Sequence, residues 1–211
     1  ANTTGQQNCA FGFRALEDNN ADHNTAFGHE SLKENTTATE NVAVGANALQ
    51  ANTTANYNTA IGQGAGGAIT TGGYNNCGGR SRGGAITTGT NNVAIGHAAG
   101  GTVTTGTNNI LIGQNTATSS TGADHQFVMG TSITAGEDNQ FTFGRASHIV
   151  QNEFDTDAAW TRTSDVRKKR NIKDDKLGLD FINDLRTVTY QWRPAEEWPK
   201  EWSEKNDTGL D

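Results

Sequence analysis

Glycine recurs every seventeen residues along most of this chain: Gly28, Gly45, Gly62, Gly79, Gly96, Gly113 and Gly130 stand one period apart, and Gly12 precedes them by sixteen. A unit of that length cannot bury a core alone, so stability has to come from stacking successive units. Composition fits this reading. Only 33% of the 211 residues are hydrophobic, fewer than a conventional globular core calls for. Yet there are 26 glycines and only two prolines, and the polar excess is Asn and Thr at fixed places, unlike the charge- and proline-rich makeup of disordered segments. The pattern predicts a solenoid, a form suited to a shaft or a displayed surface.

Each unit centres on Asn, any residue, a small residue, an apolar residue and Gly, as in Asn24-Thr25-Ala26-Phe27-Gly28, Asn41-Val42-Ala43-Val44-Gly45 and Asn92-Val93-Ala94-Ile95-Gly96. Short β-branched runs between turn residues read as strands. Side chains alternate along a strand, so the residues three and one before each glycine share a face. Those pairs are Cys9/Phe11, Thr25/Phe27, Val42/Val44, Thr59/Ile61, Val93/Ile95, Ile110/Ile112, Phe127/Met129 and Phe141/Phe143. Being the larger and more apolar set, they are expected to line the interior. The opposite face carries Ala26, Ala43, Ala60 and Ala94, small enough for another surface to approach. The glycine is expected to end the strand in a backbone conformation that other residues resist.

Two subtypes of unit are visible. Early units carry a leucine four residues after the glycine, at Leu16, Leu32 and Leu49. Middle units replace it with a Gly-Gly corner and an expected second short strand, as in Gly66-Gly67-Ala68-Ile69-Thr70-Thr71-Gly72. The unit at Asn75-Asn76-Cys77-Gly78-Gly79 lacks aliphatic filling and is expected to be the weakest layer. Asparagine stands four residues before the glycine at Asn8, Asn24, Asn41, Asn58, Asn75, Asn92 and Asn109. Asn tolerates left-handed turns and bonds nearby backbone, so these positions predict a stacked structural ladder. Cys9 and Cys77 lie four units apart, which at about 4.8 Å per stacked strand is too far for a bridge within one chain. Both are expected to be small buried thiols.

Several features resemble chemistry without supporting it. The Thr pairs from Thr36/Thr37 to Thr104/Thr105 are adjacent rather than alternate, so they do not form the flat array of an ice-binding surface. The Gly-Gly corners lack the aspartate of calcium-binding β-rolls. His29 and His97 occupy equivalent positions four units apart and read as solvated side chains. Asn35-Thr36-Thr37 and Asn52-Thr53-Thr54 match glycosylation sequons as by-products of the repeat. A net charge of −7 argues against a nucleic-acid surface. No apolar run is long enough to span a membrane, and no secretory leader opens the sequence. There is no phosphate loop or dinucleotide fingerprint, and no cofactor or metal is expected.

The repeat motifs resemble the head repeats of trimeric autotransporter adhesins of the YadA type, and similar repeats of bacteriophage fibres, over roughly residues 5–145. The resemblance implies a homotrimer of left-handed parallel β-rolls wound about a shared axis. The seventeen-residue period and the Gly-Gly corners depart from the adhesin pattern. A roll this narrow buries little by itself, so trimerisation would supply the missing apolar burial.

Past Gly144 the composition changes, with charges and tryptophans arriving together. Ser164, Asp165, Arg167, Lys169 and Ile172 fit the motif Ser-Asp-x-Arg-x-Lys-x-x-Ile. It resembles the opening of the C-terminal intramolecular chaperone domain of phage endosialidases and tail fibres, peptidase S74, which is also found in the myelin regulatory factor. Leu177, Phe181, Ile182 and Leu185 fit one helical face, capped by Asp174 or Asp175. Val188, Tyr190 and Trp192 then alternate on a strand stopped by Pro194. The resemblance implies a domain that holds three chains together while the fibre winds and then cuts itself off at the Thr163–Ser164 bond. Ser164 is then the nucleophile and Lys169 its base, with Asp165 and Arg167 supporting the site. The family domain normally extends further than Asp211, so the part present is expected to be incomplete.

The sequence therefore predicts a mainly β chain: a trimeric left-handed parallel β-roll at 1–145, a neck at 146–163, and the start of a small α+β chaperone domain at 164–211. The expected role is a virion fibre, tail or capsid, made in the host cytoplasm and displayed on the extracellular face of the particle. Its expected partners are two further copies of itself, other virion proteins and a host-surface receptor such as a glycan, with no nucleic acid and no membrane insertion. Enzymatic activity would be at most one self-directed cut. The alternatives are a cellular adhesin head with the same roll, and an autonomous hydrolase whose catalytic domain would lie upstream.

Overall fold

The structure, a computed structural model, describes residues 4–80, 85–155 and 161–162. Asn and Gly bracket each apolar triplet, so the strands are short. They are β1 Cys9–Phe11, β2 Thr25–Phe27, β3 Val42–Val44, β4 Thr59–Ile61, β5 Asn76–Gly78, β6 Val93–Ile95 and β7 Ile110–Ile112. Longer strands follow: β8 Phe127–Thr131, β9 Gln140–Arg145, β10 His148–Glu153 and β11 Thr161–Arg162. All join one sheet in sequence order. From β1 to β9 the pairing is parallel and in register, each residue facing its counterpart in the next unit, as Ala26 faces Ala43. At the end the direction reverses, and β9, β10 and β11 pair antiparallel. The fold is a β-solenoid of about one unit per turn, and no helix forms among the described residues.

The interior lies on the side opposite to the expected one. The middle residue of each strand points inward: Ala26, Ala43 and Ala60 are fully buried, and Cys77, Ala94, Leu111 and Val128 take the same place further along. The larger residues on either side point outward, with Phe11 at 65% and Ile61 at 54% exposure. The expected alternation is present with its sign reversed. The coil is so narrow that a strand can offer only a small side chain where it meets a leucine coming from the turn. Leu16, Leu32 and Leu49 are those leucines, all buried. Large residues at the middle position become possible only where the turn side thins, as at Leu111.

The two subtypes of unit are two ways to fill that interior. The leucines adopt left-handed backbone, with Leu32 at φ 47°, a conformation that costs a side-chain-bearing residue roughly 1–2 kcal/mol. Gly66 and Gly100 adopt it freely at the equivalent position. A Cβ on Gly66 would sit 2.9 Å from Leu49 Cδ2 and 3.1 Å from Ile69 Cδ1. Ile69 and Val103, three residues further on, supply the lost apolar volume and are fully buried. The expected second strand at 66–72 does not form: residues 63–68 are turn. Parallel backbone bonds nonetheless continue beside it, as from Thr53 N to Thr70 O at 3.1 Å.

Both glycine and asparagine behave as their positions predict. Gly28 has φ 140°, and a Cβ there would lie 2.5 Å from Gly45 O. The Asn column is buried and continuous. Asn41 Oδ1 accepts from Asn58 N at 2.9 Å, Asn58 Oδ1 from Asn75 N at 2.9 Å, and Asn75 Oδ1 from Asn92 N at 3.0 Å. Most of the Nδ2 groups reach a carbonyl of the following turn, as Asn58 Nδ2 donates to Gly72 O at 3.0 Å, while Asn41 Nδ2 donates to Thr39 O in its own turn. The first threonine of each pair is likewise committed to the stack, Thr70 Oγ1 donating to Thr87 O at 3.2 Å.

The chain divides into two compact units, Ala1–Ser164 and Asp165–Asp211. The second lies outside the described residues, and with it the helix expected at Leu177–Leu185 and the strand expected at Thr187–Arg193.

Candidate functional site

Two columns of side chains on the outer face of the sheet form the most distinctive surface of the molecule. Stacking in register places like on like, so the apolar residues one before each glycine run in line from Phe11 to Phe143. Phe27, Ile61, Ile95 and Met129 in this column are all more than two-fifths exposed. The column three before the glycine runs beside it, from Cys9 through Val42 to Phe141. Aromatic rings stack along the columns, Phe11 on Phe27 at 4.7 Å between centroids and Phe127 on Phe141 at 4.6 Å. Soluble monomers rarely leave so long a contiguous apolar strip open. Thr25 and Thr59 interrupt the second column, and at one layer, that of Asn76 and Gly78, neither column is apolar.

The cysteines occupy different positions in the motif, which separates them. Cys9, three before Gly12, faces outward and is exposed, contrary to the expectation of a buried thiol; Cys77, two before Gly79, is buried. Burial pushes the Cys77 thiol up to about 11, so it stays protonated and unreactive at neutral pH. Around it the Gly-rich corners leave a void of about 10 Å³ lined by Ala65, Gly66, Ile86, Ala94 and Ala99.

Outside the strip a few aromatic residues are also exposed, among them Phe13 and Phe154. Tyr57 and Tyr74 stack on another side of the coil, centroids 4.8 Å apart. His29 and His97 are exposed, and His29 stacks on Phe13 at 5.5 Å. Near the antiparallel end, burial tends to raise the Asp124 carboxyl. Hydrogen bonds from Thr107, Asn108 and His125, with the charge of His125, outweigh this and hold it below its ordinary value. Glu137 is raised by its hydrogen bond to Glu153 and by the nearby carboxylates. No group of three or more His, Cys, Asp or Glu side chains could hold a metal ion among the described residues. Nor is any described helix long and apolar enough to cross a membrane.

The candidate catalytic residues Ser164 and Lys169, their supports Asp165 and Arg167, and Thr163 on the other side of the expected cut all lie outside the described residues. The surface that sequence reasoning missed is the outer strip. Its signal was present in the fixed spacing of the large apolar residues, which were assigned to the inside.

The molecule is thus a β-solenoid with an exposed apolar strip, followed by a segment of different composition. Residues 164–210 match the family model for the chaperone of endosialidase, peptidase S74. A solenoid of about seventeen-residue repeats followed by such a segment fits a phage fibre in which a β-roll precedes a chaperone domain. No curated protein and no solved structure matches the chain.

Proposed function

We propose that this chain is part of a homotrimeric virion fibre that contacts the host surface, with a C-terminal chaperone segment that assembles three copies and then cuts itself away. The observation that carries this reading is the match of residues 164–210 to the endosialidase chaperone family, downstream of a solenoid with one apolar face. The strip supports self-association. A partner covering it from β1 to β9 has to present apolar groups at the same rise, about 4.8 Å per layer. Another copy lying parallel does so at every layer but that of β5, and a closed ring of copies leaves no face open. Three is the number that the resemblance to trimeric rolls and chaperones implies.

In the cut, the Ser164 hydroxyl attacks the Thr163 carbonyl carbon. Lys169 takes the hydroxyl proton and passes it to the departing Ser164 nitrogen, leaving an ester. Water then hydrolyses the ester, releasing the Thr163 carboxylate and restoring the serine. A lysine does this work when neighbouring cations lower its pKa, and Arg167, Lys168 and Arg170 are those neighbours in sequence. Asp165 and Arg167 orient the pair.

Intact mass under denaturing conditions, of the wild-type gene product beside Ser164→Ala, tests the cut. A fragment beginning at Ser164 in the wild type and absent from the variant is expected. Intact chains in both would leave a retained assembly domain and remove the peptidase. Light scattering tests the trimer, and a monomer would overturn the assembly reading.

A further inference from the structure

We propose that the layer of Asn76 and Gly78, the one layer at which neither column of the strip is apolar, sets the register of the three chains as a polar, water-holding ring; this rests on the trimeric reading above. Gly78 is the one position from Phe11 to Phe143 at which the column one before the glycine has no side chain. Its own chain does not require this. Its φ lies outside the left-handed region, and a Cβ there would meet nothing nearer than Ile95 at 3.7 Å, ordinary contact. The glycine that follows a neighbouring strand, β6, is different: a Cβ on Gly96 would lie 2.5 Å from Gly113 O. A strand glycine with open space above it marks the approach of something from outside the chain. Beside it, the exposed Asn76 carboxamide makes no hydrogen bond to any described residue.

Repetition makes register a problem. A trimer slipped by one layer would still set apolar against apolar at every pair of the column one before the glycine that does not involve Gly78, as Val44 against Ile61 and Ile95 against Ile112, so the apolar contacts hardly distinguish aligned chains from slipped ones. The polar layer does. In register, three Asn76 carboxamides face one another, and the room left by three Gly78 residues admits water to complete their hydrogen bonds. Slipped by one layer, Asn76 of one chain faces Val93 or Thr59 of the next: against Val93 its donors and acceptors are buried unpaired, and against Thr59 a single hydroxyl cannot satisfy them all. A single Asn in a coiled-coil seam fixes alignment on the same grounds, at some cost in stability.

The test uses the full chain with Cys9→Ser, leaving only the buried Cys77 thiol. Chains carrying Ile95→Cys are co-expressed with chains carrying Ile112→Cys, oxidised, and the linked peptides counted by mass spectrometry. Alongside the parent, the same pair is made with Asn76→Val and Gly78→Ile together, and with Asn76→Val alone should the filled variant misfold. The expected result is that links 95–95 and 112–112 dominate in the parent, while the share of 95–112 links rises several-fold once the layer is apolar, with the trimer retained by light scattering. Trimers whose 95–112 share is the same in parent and variants would overturn the register role and leave the trimeric reading standing. A monomeric parent would overturn both.

Discussion

At the scale of single residues, the chain solves one problem repeatedly: how to bury a polar corner in a coil too thin for a second layer. The Asn column does it by bonding backbone on both sides. Asn58→Ala would orphan Asn75 N and take from Gly72 O one of its two donors, Asn75 Nδ2 being the other. With a buried orphan costing about 1–3 kcal/mol, a loss of that size is expected in denaturant unfolding. This ladder was legible from the spacing alone, because Asn at a fixed offset from Gly has few other uses. Cys77 was not legible in the same way, since burial of a thiol depends on which side of a three-residue strand faces in. Its titration now gives a signed prediction. Burial raises it from its ordinary value of 9.0 to about 11 in the folded chain. Below pH 9 both states keep the proton. As pH rises from 9 to about 11 the unfolded chain loses it first, so the folded state weakens by about 2–3 kcal/mol. Unfolding free energies across that range should fall more steeply for the wild type than for Cys77→Ala, which installs the residue found there in most other units.

At the scale of the strand, periodicity fixed which residues share a face but not which face is inside. Larger and more apolar normally means interior, and here that rule fails because the cavity accepts one large side chain per turn and the turn supplies it. The strands' own large residues are left for the outside. Paired substitutions separate the two faces. Ala43→Asp places a charge in the fully buried column, and the coil is expected to unfold. Ile61→Asp places the same charge on the outer strip; the β signal in circular dichroism should persist, while light scattering should report loss of self-association. If Ile61→Asp unfolds a demonstrably monomeric chain, the strip belongs to the fold rather than to assembly. On the turn side, Leu32→Ala should cost about 2–5 kcal/mol, as for other buried leucines, because no neighbouring unit can collapse into the space.

At the scale of the molecule, the solenoid is a one-dimensional stack in which each layer touches only the two beside it. Its stability is close to a sum of layer and interface terms, and it opens where that sum is least. The layer of β5 has the weakest terms. Its inward residue is Cys77, and its neighbours Gly66, Ala94 and Ala99 surround a void. Its outward residues, Asn76 and Gly78, add no apolar contact along the strip. The layers of β3 and β7 have none of these defects: Leu49 and Leu111 fill their interiors, and Val44 and Ile112 continue the strip. Backbone hydrogen bonds are equally regular in all three, Asn76 N reaching Asn92 O and Ile110 N reaching Gln126 O, each at 2.8 Å. Differences in amide protection would therefore report packing rather than hydrogen-bond geometry. Native-state hydrogen exchange should show the amides of Asn76–Gly78 exchanging faster than those of Val42–Val44 and Ile110–Ile112, the excess shrinking when Cys77→Val fills the void. Uniform protection along the stack would mean that the coil opens as one unit, and that the gap in the strip is not also its weakest layer.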